Sequence, residues 1–239
     1  ELSLEGKLVS DGIFPELMEP LRIMNDYSFG FSTEAPESGY PFYETESVYK
    51  NKIVLSNNGL QGAGTINFLQ ASATSKKLTF LPDSTVGLAN FYSNEIKTGI
   101  EYPEARCELA SMSFKPRLKI LSIKSYRDSY IGMFKDECSL DGSISISEQG
   151  MVGNGRIDLM DALLVSSEFS FKSKDIFSDS ADFTLRNKFA KQGENPMAIQ
   201  SEGLKTHVSF EDRLGVFNSS GSKRIKFPSN NFYCQMDKF

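Results

Sequence analysis

Apolar and polar residues alternate along this chain in short bursts: Ile144 and Ile146, Ile157 and Leu159, Phe169 and Phe171, and Phe183 and Leu185 each bracket one polar position. A period of two over a few residues marks a strand with one buried face. The bursts recur every 12 to 14 residues, which predicts a succession of short strands. Helical periodicity is nearly absent. The one plausible helix, Phe14 to Met24, is interrupted by Pro15 and Pro20, and Asp161 to Val165 is too short an apolar run to stand as another.

The bursts belong to a longer period. Residues 53 to 80 align without a gap on residues 144 to 171 at a constant offset of 91, and nine of 28 positions are identical. These are Ile53/Ile144, Ser56/Ser147, Gly59/Gly150, Gly62/Gly153, Gly64/Gly155, Ile66/Ile157, Ala71/Ala162, Ser75/Ser166 and Phe80/Phe171. One inserted residue extends the match to Ala89-Asn90-Phe91 against Ala181-Asp182-Phe183. A further pair of phrases, at Ser113 to Leu118 and Ser209 to Leu214, stands at offset 96. Ser3-Leu4-Glu5-Gly6 echoes Ser139-Leu140-Asp141-Gly142, the trace of another copy.

These patterns predict an all-β protein made by tandem duplication. A β-solenoid, or β-helix-like stack of short strands, fits because the unit divides into about four coils of roughly 23 residues, each too thin to bury a core alone. Two antiparallel β-sandwich repeats are the alternative. The expected division is a partial repeat or cap over residues 1–39, repeat 1 over 40–130, and repeat 2 plus a tail over 131–239. The partial copies also suggest a piece trimmed from something longer, with neighbouring repeats of the same polypeptide as natural partners.

Composition narrows the function. The 26 basic and 31 acidic residues give a net charge of −5, and lysines and arginines are scattered rather than banked into a run, so no nucleic acid or polyanion partner is expected. No apolar stretch approaches the roughly 18 residues of a membrane span. Cys107, Cys138 and Cys234 are odd in number and far apart, which fits neither a CxxC metal site nor a closed disulfide framework.

Several motifs invite chemistry. Gly150 to Asp161 resembles a calcium loop, with Asp158 and Asp161 at liganding places. Calcium wants six to eight oxygens, however, and the first and third positions are Gly150 and Val152. The corresponding stretch of the other copy replaces the acids by Asn67 and Gln70, so no metal site and no cofactor is assigned. The Gly62-x-Gly64 and Gly153-x-Gly155 pairs lack the third glycine and the lysine of a phosphate loop and read as turn glycines. His207, the single histidine, lies out of phase with Val208 and Phe210, on a solvated strand face. Acid pairs such as Asp158/Asp161, Asp179/Asp182 and Glu44/Glu46 have the composition of a glycosidase pair, but the acids change between copies as solvated positions do. Most phenylalanines lie on the alternating strands and read as core. Tyr40, Phe42 and Tyr43, beside Pro41 in a region rich in Gly and Ser, are the least core-like aromatics and the expected exposed contact. Asn218-Ser219-Ser220 is a lone glycosylation sequon.

The phrases SxxGLxGxGxI (Ser56 to Ile66), AxxxSxxxxF, SDSADFTL (Ser178 to Leu185), SFEDRLGVF (Ser209 to Phe217) and KFPSNNFYCQMDKF (Lys226 to Phe239) resemble the repeats of large, uncharacterised cell-envelope proteins of Bacteroidota. The resemblance covers the chain from about residue 40 onward and implies a cell-envelope or extracellular location and a modular habit. The N-terminal phrase LSLEGKLV is similar to strands of β-groove proteins that conduct lipids. The resulting expectation is a non-enzymatic, extended β-repeat module serving a structural, adhesive or assembly role, bound to a protein or envelope component. The rival expectations are a lipid-conducting β-groove and a polysaccharide-active β-helix enzyme.

Overall fold

The computed structural model describes residues 2–192, 195–219 and 224–235. The protein is all-β, with 63% of residues in strands and no α-helix among the described residues. Two compact units form. One comprises Glu1–Ser93 and Cys107–Tyr126, the other Asn94–Arg106 and Arg127–Phe239. Residues 1–39, the expected partial repeat or cap, fall within the first unit.

The first unit holds β1 (Ser3–Leu4), β2 (Leu21–Ile23), β3 (Phe29–Glu34), β4 (Tyr40–Pro41), β5 (Val48–Ser56), β6 (Gly59–Phe68), β7 (Ala71–Phe80) and β8 (Thr85–Ser93). It also contains most of β9 (Ala105–Lys115) and all of β10 (Ile120–Ser125). The second unit holds β11 (Ile131–Met133), β12 (Cys138–Ser147), β13 (Gly150–Leu159), β14 (Ala162–Phe171) and β15 (Asp175–Arg186). It ends with β16 (Met197–Ser209), β17 (Leu214–Ser219), β18 (Arg224–Phe227) and β19 (Phe232–Gln235).

Successive strands pair as antiparallel hairpins, β5 with β6, β6 with β7 and β7 with β8 in the first unit. In the second, β12 pairs with β13, β13 with β14, β14 with β15 and β15 with β16. This departs from the solenoid expectation, because stacked coils pair in parallel and every ladder among the described residues is antiparallel. The cause is local. Two-residue turns at Asn57-Asn58 and Glu148-Gln149 close the pairs Ser56↔Gly59 and Ser147↔Gly150, too few residues for anything but a hairpin. The segment Phe14 to Met24 is not helical. It contributes a bridge at Leu17 and the short β2, and its prolines leave no room for a continuous helical ladder.

The offset of 91 relating the two sequence segments also relates the bounds of β6 to β13 and of β7 to β14. The ladders share their irregularities. Register shifts fall between Gly62 and Gly64 in one unit and between Gly153 and Gly155 in the other. In the first unit β7 bulges between Thr74 and Lys77 against β8. In the second, the β14–β15 pairing lapses between Val165 and Ser170 but resumes in the same register. The residue inserted in the alignment lies in β15, where it matches the extra residue of β14 and removes the shift.

Each meander buries one face. In the first unit Tyr49, Ile53, Ile66, Leu78, Phe80, Phe91, Met112 and Phe114 are buried, as are Ile13, Phe14 and Leu17 of the N-terminal segment, and Phe14 packs on Tyr49 and Phe80. Leu140, Ile144, Ile157, Leu164, Phe169, Phe171 and Ile176 are buried in the second. Burying each large apolar side chain contributes about 1.5–3 kcal/mol, so these rows supply most of the drive to fold.

Candidate functional site

Eight of the nine identical pairs, all but Ala71/Ala162, sit where the fold constrains the residue at both copies; among them Phe80 and Phe171 are buried, and Gly64 and Gly155 hold a positive φ. Ser56 and Ser147 accept the N–H of Asn58 and of Gln149, each at 3.2 Å, and so close equivalent turns. Gly59 and Gly150 follow those turns with φ of 86° and 121°. A Cβ on Gly62 would lie 2.7 Å from Lys52 O and 2.9 Å from Phe80 Cε2; one on Gly153 would lie 2.6 Å from Ser143 O and 2.9 Å from Phe171 Cε2. Ile53, Ile66, Ile144 and Ile157 are fully buried. Ser75 and Ser166 turn inward, and their hydroxyls occupy the irregularity in the ladder. Lys77 N–H donates to Ser75 Oγ at 3.1 Å, and Glu168 N–H donates to Ser166 Oγ at 3.0 Å. Ser166 Oγ also lies 2.7 Å from Ser180 O and 3.0 Å from Ser178 Oγ, so its hydrogen-bonding capacity is saturated and it is no free nucleophile.

Of the aromatic trio expected at the surface, Phe42 and Tyr43 are buried. Phe42 is 0% exposed and Tyr43 2%, while Tyr40 is half-buried on β4. Phe42 packs among Phe14, Tyr49, Phe80 and Phe114. The Tyr43 hydroxyl is 2.6 Å from Ser84 O, 2.7 Å from Leu81 O and 2.9 Å from Thr85 Oγ1. Burial pushes its pKa up to about 12, against the opposing effect of its Thr85 hydrogen bond. This hydroxyl anchors the N-terminal segment to the end of β7 and the start of β8.

Gly150 to Leu159 is strand, so its side chains alternate between two faces instead of converging on an ion. Asp158 pairs with Arg186 at 2.5 Å and Arg156 at 3.7 Å, and Asp161 pairs with Lys188 at 2.5 Å. Among the other acids, Asp179 faces Lys205 at 3.2 Å, Asp182 accepts the Gly203 N–H at 2.9 Å, and Glu44 and Glu46 are exposed.

The most chemically varied place in the second unit is a hollow of about 440 Å³ on the outer face of β14 to β17. Here His207 Nε2 meets Asp175 Oδ1 at 2.7 Å, and the ring stacks on Phe177 with centroids 4.4 Å apart and planes at 10°. Sequence reasoning placed His207 on a solvated face but missed Asp175 and Phe177, which register brings beside it through Phe177↔His207 and Ile176↔Val208. No serine hydroxyl among the described residues hydrogen-bonds the ring. The pair can orient a ligand but lacks the nucleophile of a hydrolytic triad.

No family model matches the chain, and no curated protein or solved structure does so either. Fold and geometry define its class as an antiparallel, hairpin-built β protein of two units.

Proposed function

We propose that the chain is a non-catalytic β-repeat module of a cell-envelope or extracellular protein, its two units descended from one duplicated meander and serving a structural, adhesive or assembly role. One observation carries the reading. The identical positions cluster at turns, close backbone approaches, hydroxyls placed in ladder irregularities and buried side chains, while the outward positions between them differ in charge and polarity. A scaffold keeps what holds its strands and lets its surface diverge.

The filled interior supports this reading over a lipid-conducting groove, since Phe80, Phe114, Phe169 and Phe171, which an open groove would expose, are at most 4% exposed. The separate ion pairing of Asp158, Asp161 and Asp179 supports it over a glycosidase, which needs two carboxylates facing one bond. Fractionation of the tagged protein from the cells that produce it is expected to recover it with the envelope or the medium, cross-linked to a protein or envelope component. Recovery in the cytosol overturns the location. Polysaccharide turnover by the pure chain that Asp175→Asn abolishes overturns the non-catalytic role.

A further inference from the structure

We propose that the outward face of β5 to β8 is a docking surface for an anionic lipid bilayer, a partner that deepens, and rests on, the envelope reading. Lysines that look scattered in sequence are gathered by register. Lys50 lies in one outward row with Thr65, Thr74 and Asn90, and the Thr65 and Thr74 hydroxyls meet at 2.8 Å across it. Lys52 begins the next row, opposite Ala63. On β7 that row meets the bulge. Because Ser75 turns inward to the Lys77 N–H and to Leu88 O, Lys76 and Lys77 are both exposed, and Lys77 pairs with Leu88. A third row is uncharged, running from Val54 through Gln61 and Thr79 to Val86.

These rows hold four lysines and no carboxylate, and among the described residues none of the four makes an ion pair. The flanking acids are Glu34 of β3, opposite Lys52, Glu19 and Asp26, which line a hollow with Lys52 and Val54 at the edge of the face away from Leu88, and the exposed Glu108 of β9. Between β7, β8 and β9 lies a hollow of about 840 Å³, lined by Lys76, Lys77, Val86, Leu88 and Leu109. Leu88 is 42% exposed and Leu109 38%.

The residue types select the occupant. Ammonium groups are compact point charges, whereas paired recognition of phosphates and bases favours arginine, and the rows contain none. A polar polyanion has no use for exposed leucines. A bilayer surface uses both, with headgroups at the lysines and the acyl boundary at Leu88 and Leu109. The net charge of −5 does not oppose this, because screening limits its reach to about 8 Å in physiological salt. The second unit is a built-in comparison. Its equivalent row runs Asp141, Arg156, Val165, Asp182, and the Lys76-Lys77 positions are Ser167 and Glu168.

The test is flotation of the whole chain with phosphatidylcholine vesicles, with and without phosphatidylglycerol. Binding is expected only to the anionic vesicles and is expected to weaken with salt. Lys76→Gln with Lys77→Gln should lower the partition coefficient by about tenfold to thirtyfold. Leu88→Ser with Leu109→Ser should weaken it without changing the salt dependence, and Glu168→Gln should leave it unaltered. All these positions are exposed, and an unchanged far-UV dichroism spectrum confirms the fold of each variant. Equal binding to neutral vesicles, indifference to the lysine substitutions, or capture by soluble heparin with no vesicle binding overturns the proposal. Vesicle binding by a chain that fractionates with the cytosol would remove the envelope reading and leave the docking surface standing; an envelope protein that ignores vesicles would do the reverse.

Discussion

Phe42 offers the sharpest contrast between a surface and a core role. Its ring lies 4.5 Å from Tyr43, 5.4 Å from Phe14, 5.7 Å from Tyr49 and from Phe80, and 6.1 Å from Phe114, centroid to centroid. Phe42→Ala removes the transfer free energy of the ring and leaves a cavity walled by side chains that cannot all collapse inward, at a cost of about 3–5 kcal/mol. An exposed contact residue would cost no more than about 0.5 kcal/mol. Urea unfolding followed by tyrosine fluorescence separates the two, since the chain has no tryptophan to obscure the signal. With a slope of roughly 2 kcal/mol per molar, the midpoint should fall by about 2 M, and Phe42→Leu should recover most of the loss. Tyr40→Ala, at a half-buried position on a two-residue strand, should cost clearly less. A loss below about 1 kcal/mol for Phe42→Ala would refute the core assignment.

Other consequences follow from the same geometry. Gly62→Ala and Gly153→Ala should each destabilise by about 1–3 kcal/mol in thermal melts, because the new methyl meets a neighbouring strand's carbonyl as well as a buried ring. Ser166→Ala should cost about 1–3 kcal/mol and speed exchange of the Glu168 amide, which loses its acceptor. Burial raises the pKa of Tyr43 to about 12 and raises that of Tyr49 still further, so the fold holds these phenols neutral. Their contribution is complete below the unfolded value near pH 10 and falls by about 1.4 kcal/mol per pH unit for each tyrosine as pH rises from there toward the folded value. Tyr43→Phe should flatten that fall in alkaline urea titrations. Of the three thiols, Cys107 and Cys138 are buried, and burial pushes the Cys138 thiol up, so a thiol reagent should modify Cys234 rapidly and the other two only on unfolding.

Strand content was legible because alternation is a local property, and Ile157-Asp158-Leu159 shows it without knowledge of the partner strand. The hairpins were legible in principle as well. Two ten-residue strands with two-residue turns occupy nearly the same length as one solenoid coil, so the period alone could not separate them, but the short gap between Ser56 and Gly59 does. The aromatic trio misled because a Gly- and Ser-rich context reports a turn, whereas burial of Phe42 depends on Phe80 and Phe114, contributed by distant strands. The Asp175–His207 pair was hidden for the same reason: register sets it, and register depends on bulges that composition does not display.

Those bulges also decide the surface chemistry. Tucking Ser75 inward leaves two consecutive residues exposed where regular alternation would present one, and the same occurs beyond Ser166. Each unit therefore displays an adjacent outward pair beside a hollow, Lys76-Lys77 in one and Ser167-Glu168 in the other. The serine must stay, since its hydroxyl satisfies a backbone amide that the irregular ladder leaves without a strand partner. The pair it exposes has no such duty. Substitution there changes what the surface attracts without touching the hydrogen bonds that hold the strands, which is how one backbone frame comes to carry a lysine face in one unit and an acid-bearing face in the other.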